Sequence, residues 1–199
     1  MATAEREYWR LFVAIPVPAE VKTKIQRTQS LIRQRLPGDA INWTRPEQFH
    51  LTLKFLGDVP SDSVPAISDA LRTVAVEFRP VALQSRGLGF FPNARVPRVL
   101  WAGVTDGSGQ LNDLQLKIEA ACTDFGTEPT EDRFHAHVTL ARVKRFRGGI
   151  GDDLGKAVLP DLENDFGRWT ATHVELIRSQ LFSSGPAYTT LAELPMAKA

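Results

Sequence analysis

Apolar positions along this chain follow two alternating rhythms, one of strands and one of helices. Arg10-Leu11-Phe12-Val13-Ala14-Ile15 is an apolar run rich in strand formers that stops at Pro16 and Pro18, and it reads as a buried strand. Val21, Ile25, Ile32 and Leu36 then recur at multiples of about one helical turn, which predicts an amphipathic helix over residues 19–36 ended by Pro37-Gly38. A second strand is expected from Phe49 to Leu56, stopping at Gly57. Val64, Ile67, Leu71, Val74 and Phe78 step by three and four, a helix that tolerates Pro65 in its first turn.

After a strand near residues 81–88 and a loop through 89–97, the order begins again. Arg98-Val99-Leu100-Trp101-Ala102 echoes Arg10-Leu11-Phe12-Val13-Ala14. Leu111, Leu114, Ile118, Ala121 and Phe125 mark a helix, and a strand from Phe134 to Val143 follows it. The echo is displaced by 98 − 10 = 88 residues at the opening strands and 137 − 50 = 87 at the later ones, a spacing suited to a duplicated half-domain. A short helix near 152–164 comes next. An apolar run from Val174 to Phe182 and a strand near Tyr188 to Leu194, joined through Ser183-Ser184-Gly185-Pro186, then predict a closing hairpin. Without a low-complexity segment or long linker, residues 1–199 read as one unit of two similar lobes facing each other.

The later strand of each half carries the same four residues in type: His50-Leu51-Thr52-Leu53 and His137-Val138-Thr139-Leu140. Side chains alternate across a strand, so each histidine shares a face with its threonine while the aliphatics turn to the core. Two imidazoles across a cleft suit in-line displacement at phosphorus. One removes a proton from the nucleophile and the other protonates the departing oxygen, and an ordinary pKa of about 6.5 lets imidazole do either. The hydroxyls of Thr52 and Thr139 can donate to the non-bridging oxygens, where charge gathers in the transition state.

Composition adds limits rather than direction. The chain has 199 residues, 43% of them hydrophobic, and its 24 basic and 23 acidic residues leave a net charge of +1 that points to no partner. Lys144, Arg145 and Arg147 before Gly148-Gly149 form a local basic cluster that could follow a phosphate backbone. No stretch approaches the roughly 20 apolar residues of a membrane span, and Glu5-Arg6 is unlike a signal peptide, so a cytoplasmic location and no membrane partner are expected. The single cysteine, Cys122, falls in a helical pattern and reads as a small buried hydrophobe. A metal site built from His50, His135 and His137 is the rival for the histidines, but no Asp, Glu or Cys lies within either motif to complete it. His135 and His173 read as bystanders.

With these motifs in place, the chain resembles the 2H phosphoesterase superfamily, specifically the RNA 2′,3′-cyclic phosphodiesterases, also called 2′-5′ RNA ligases. The likeness extends to Arg10–Ala14, His50-Leu51-Thr52-Leu53-Lys54-Phe55-Leu56-Gly57, His137–Arg142, Ser179-Gln180-Leu181, Gly185-Pro186 and Tyr188. It implies a bilobal α+β fold in which two antiparallel sheets with flanking helices surround a central cleft, related by an internal pseudo-twofold. It also implies hydrolysis of an RNA 2′,3′-cyclic phosphate end to a 2′-phosphate without metal or cofactor, with reverse ligation open to the same groups. In that scheme His50 is the proton donor, His137 the proton acceptor, and Arg142 a phosphate contact. Arg142 has the wrong parity to join His137 in a regular strand, so that role requires a bend or bulge. Ala136 stands where the family often has proline. The implied partner is RNA or an oligonucleotide ending in a cyclic phosphate, bound by a monomer. The rival readings are an RNA-end-binding module without turnover and a phosphodiesterase of small cyclic nucleotides. Trp43, Phe49, Phe90 and Phe91 are candidates for stacking on a base.

Overall fold

The N-terminal apolar run forms β1 (Tyr8–Pro16) in the computed structural model, which describes residues 6–36, 38–129, 133–144, 150–183 and 185–198. The chain continues through α1 (Ala19–Arg35), β2 (Ile41–Trp43), β3 (His50–Pro60), α2 (Val64–Ala75), β4 (Val81–Phe91), β5 (Val99–Asp106) and α3 (Gln110–Ala121). It ends with β6 (His137–Val143), α4 (Ile150–Val158), β7 (Asp165–Ala171), β8 (His173–Phe182) and β9 (Gly185–Pro195).

All strand pairs are antiparallel, and they fall into two groups. β3-β1-β8-β9 form one, β7-β4-β5-β6 with β2 on the edge of β6 form the other, and a single pair, Leu51 with Val138, joins them. This is the α+β architecture that the family resemblance implied, with its two antiparallel sheets merged at this pair into one nine-stranded sheet among the described residues. Strand registers define the repeat more sharply than the letters do. Pro16, Ile15 and Ala14 pair with His50, Leu51 and Thr52, while Gly103, Ala102 and Trp101 pair with His137, Val138 and Thr139. Every one of these positions is displaced by 87 (103 − 16, 101 − 14, 137 − 50), so the 88-residue echo of the opening strands was one residue out of step. Because Leu51 and Val138 are themselves 87 apart, the pseudo-twofold passes through the pair that joins the sheets.

The helix after each opening strand crosses to the other half. α1 packs on β7 and α4, while α3 packs on β3 as well as on α2. Leu11, Leu51, Leu100 and Val138 therefore belong to one continuous apolar core spanning both halves. β1 is buried on both faces because its second face, through Phe12 and Ala14, meets Ile177 beneath the cleft.

Several boundaries differ from expectation. The loop expected from residue 89 starts later, because β4 continues to Phe91 and Gly89 pairs with Trp101. A Cβ on Gly89 would lie 2.2 Å from the indole, so this glycine marks a close approach rather than a turn. β6 begins at His137 rather than at Phe134, and α4 ends at Val158, leaving room for a seventh strand that no alternation announced. β2 is only three residues long and equally silent.

Candidate functional site

The two motif strands are neighbours at the seam between the halves, which brings their cleft-facing side chains together. His50, Thr52, His137, Thr139 and Arg142 all line one cavity of about 420 Å³. A second hollow of about 610 Å³ shares Thr52, Phe55, His137 and Arg142 with it, so the cleft has two arms that meet at the motifs.

Arg142 reaches this surface by a bulge. Trp101 pairs with Thr139 and Leu100 with Ala141, so Leu140 has no partner on β5. The extra residue resets the alternation: Leu140 and Ala141 are both buried, and Arg142 emerges exposed on the side of His137 and Thr139. The same defect recurs in β3, where Val13 pairs with Lys54 and Ala14 with Thr52, leaving Leu53 out. There the emerging residue is Phe55, 87 positions before Arg142, so the duplicated cleft carries a cation on one side and an aromatic ring on the other.

Each imidazole is held in an aromatic nest. The His50 ring stacks on Phe12 with centroids 4.8 Å apart and meets the edge of Tyr188 at 5.3 Å. The His137 ring stands edge-on to Phe91 at 5.0 Å, and its Nδ1 lies 2.6 Å from the carbonyl oxygen of His135. A carbonyl only accepts, so Nδ1 carries the hydrogen and Nε2 is left with its lone pair.

Burial pushes the His50 pKa down to about 4. The hydrogen bond with the backbone of Gln48 opposes the shift, while Lys22, His137 and Arg142 reinforce it. Burial also lowers the pKa of His137, again opposed by its backbone bond and reinforced by Arg142 and His135. Both rings are thus neutral at pH 7 in the free cleft, beside cations that favour an anionic guest.

The other sequence candidates separate clearly. His135 contributes its carbonyl and a ring 5.7 Å from Phe91, and among the described residues no three His, Cys, Asp or Glu side chains group as ligands. Phe49 is in the core, Phe90 packs against it, and Phe91 is occupied by Trp101 and the second-half histidines. Trp43 alone of the four lines the cavity. His173 lies on β8 beside Glu175, and Cys122 is buried. Lys144 follows directly on β6, while Arg145, Arg147, Gly148 and Gly149 lie outside the described residues.

Sequence reasoning passed over Phe55, Phe182 and Arg45 as lining residues. Arg45 and Gln48 both donate to the carbonyl of Pro186, fastening the β8–β9 hairpin over one arm of the cleft. Only the three-dimensional docking of the hairpin reveals that role.

Two successive stretches, residues 15–101 and 103–188, match the family model described as LigT like Phosphoesterase. The chain belongs to that family. Its relatives include an RNA 2′,3′-cyclic phosphodiesterase of Aeropyrum pernix, 35% identical over 76% of this chain and 84% of that protein. Another, from Methanothermobacter thermautotrophicus, is 31% identical over 92% of this chain and 96% of its own length. A crystal structure of a Thermus thermophilus protein superposes with a TM-score of 0.76 at 30% identity, covering 94% of this chain and 97% of that one. E. coli LigT complexed with 3′-AMP shares the fold at a TM-score of 0.72 and 23% identity, over 96% and 99% of the two chains. As a LigT-like phosphoesterase the chain is a 2H-superfamily member, with one family match on each half.

Proposed function

We infer that this LigT-like phosphoesterase hydrolyses RNA 2′,3′-cyclic phosphate ends to 2′-phosphomonoesters. The observation that carries this reading is the convergence of His50-Thr52 and His137-Thr139, from equivalent strands, with Arg142 on one cavity. The activity named for relatives that align over nearly the whole chain supports it.

In the proposed mechanism Arg142 grips the phosphate equally from binding through turnover, and the two threonine hydroxyls donate to the non-bridging oxygens where charge gathers in the transition state. His137 removes a proton from water through Nε2, the atom its bond to the His135 carbonyl leaves free. Water oxygen bonds to phosphorus, the P–O3′ bond breaks, and O3′ takes a proton from His50. The phosphate stays on O2′, with His137 protonated and His50 neutral. Because the free His50 ring titrates at about 4, the arriving phosphate charge must draw a proton onto it. No step requires a metal.

The test is incubation of the protein with EDTA and an oligonucleotide ending in a 2′,3′-cyclic phosphate. A 2′-phosphate product formed at the same rate with and without EDTA is expected. A 3′-phosphate product, or activity that EDTA abolishes, contradicts the mechanism.

A further inference from the structure

Both motif strands depend on a bulge, and a buried glutamine meets each one. The bulged Leu140 is fully buried and has no partner on β5, and its carbonyl turns to the other side, where β2 and α1 lie. It receives the Thr44 backbone N–H at 2.9 Å and the Gln29 side-chain amide at 2.8 Å. The same Nε2 donates to the Thr44 carbonyl, also at 2.8 Å, so both its N–H groups are used. In the other half Gln115 Nε2 lies 3.4 Å from the carbonyl of Leu53, the bulged residue of β3.

The helix pattern makes this more than a chance contact. Gln29 sits between Ile25 and Ile32 on the buried face of α1, and Gln115 occupies the same slot between Leu111 and Ile118 on α3. Each is a polar residue where the apolar rhythm calls for a hydrophobe, and each is less than a tenth exposed. A buried amide in that slot costs desolvation unless its bonds are made; Gln29 makes them to the Leu140 bulge and to Thr44, and Gln115 to the Leu53 bulge and, also at 3.4 Å, to Glu119 Oε2.

We propose that Gln29 is a positioning residue that holds the β6 bulge and thereby aims Arg142 into the cleft, with Gln115 its counterpart for Phe55. The inference rests on the reading of Arg142 as the phosphate contact. Without the Gln29 amide, Leu140 keeps only the Thr44 N–H, the bulge loses its tie to α1, and the alternation that exposes Arg142 is no longer enforced.

The test is a double-mutant cycle. Gln29→Met keeps length and removes both N–H groups. It should raise KM for the cyclic-phosphate oligonucleotide about tenfold with kcat within about twofold, because substrate binding rather than proton transfer is affected. On an Arg142→Ala background the same change should move KM by less than about twofold, whereas Gln115→Met with Arg142→Ala should multiply. Should Gln29→Met fail to fold, Gln29→Asn, which withdraws the amide by one methylene, enters the same cycle. Independent, multiplying effects of Gln29 and Arg142 substitutions, or an unchanged KM in a folded Gln29 variant, overturn the inference. A wild-type protein without turnover sinks the functional reading instead. The cycle is then run on Kd for inorganic phosphate, where coupling between Gln29 and Arg142 supports the positioning role and its absence overturns it.

Discussion

At the scale of single residues, the proposed chemistry rests on imidazoles that the fold keeps neutral. Burial holds His50 at about 4 and His137 below the usual histidine value, so the substrate-free site is short of the proton an acid catalyst must give. The sign of the pH dependence follows. As pH rises above about 4, the protonated fraction of the free His50 ring falls, and once pH also exceeds the lowered pKa of His137 no gain of free base offsets that loss, so kcat/KM should already be dropping about tenfold per unit at neutral pH. The bound phosphate anion stabilises imidazolium, so the alkaline limb of kcat should lie at higher pH than that of kcat/KM. Coincident limbs, or a flat kcat/KM into the alkaline range, contradict the account. The His-x-Thr pairs were legible in the sequence because a period of two is all that is needed to put both side chains on one face. The pKa shifts were not, since burial by Phe12, Tyr188 and Phe91 comes from distant segments.

At the scale of elements, the long helices and the motif strands follow their sequence rhythm, and the exceptions have physical causes. β2 is too short to show alternation, β7 is interrupted by Gly167 at a positive φ, and Gly89 imitated a turn while making room for Trp101. Bulges leave no signature either. Only the parity conflict of Arg142 demanded one, and the matching bulge at Leu53 had no such conflict to announce it. Behind β3 the bulge's neighbour Lys54 pairs with Glu119 of α3, and both side chains are nearly buried. Removing one partner strands a charge in the core, so Lys54→Met should cost about 3–5 kcal/mol in urea unfolding, while Lys54→Met with Glu119→Leu should recover most of it. Equal losses in the single and double variants would show that the pair acts by packing rather than by charge.

At the scale of the whole molecule, a duplicated half has been turned into a site with two unlike sides. The pseudo-twofold through Leu51 and Val138 places two equivalent histidines and threonines around one point, and the post-bulge residues Phe55 and Arg142 break the equivalence. That asymmetry gives the two imidazoles room for different tasks. The duplication was visible in the letters, but its register became clear only from strand pairing. The most direct measurement is single-turnover kinetics of the wild type, His50→Ala and His137→Ala on two substrates: the cyclic-phosphate end and a diester whose nitrophenolate leaving group needs no acid. Both variants should lose about 10²–10⁴-fold on the cyclic phosphate, the usual worth of a proton-transfer group, and only His50→Ala should recover on the nitrophenyl diester. Rates within a few-fold of wild type for either variant on the cyclic phosphate would contradict paired-histidine catalysis, and recovery of His137→Ala instead would reverse the two roles.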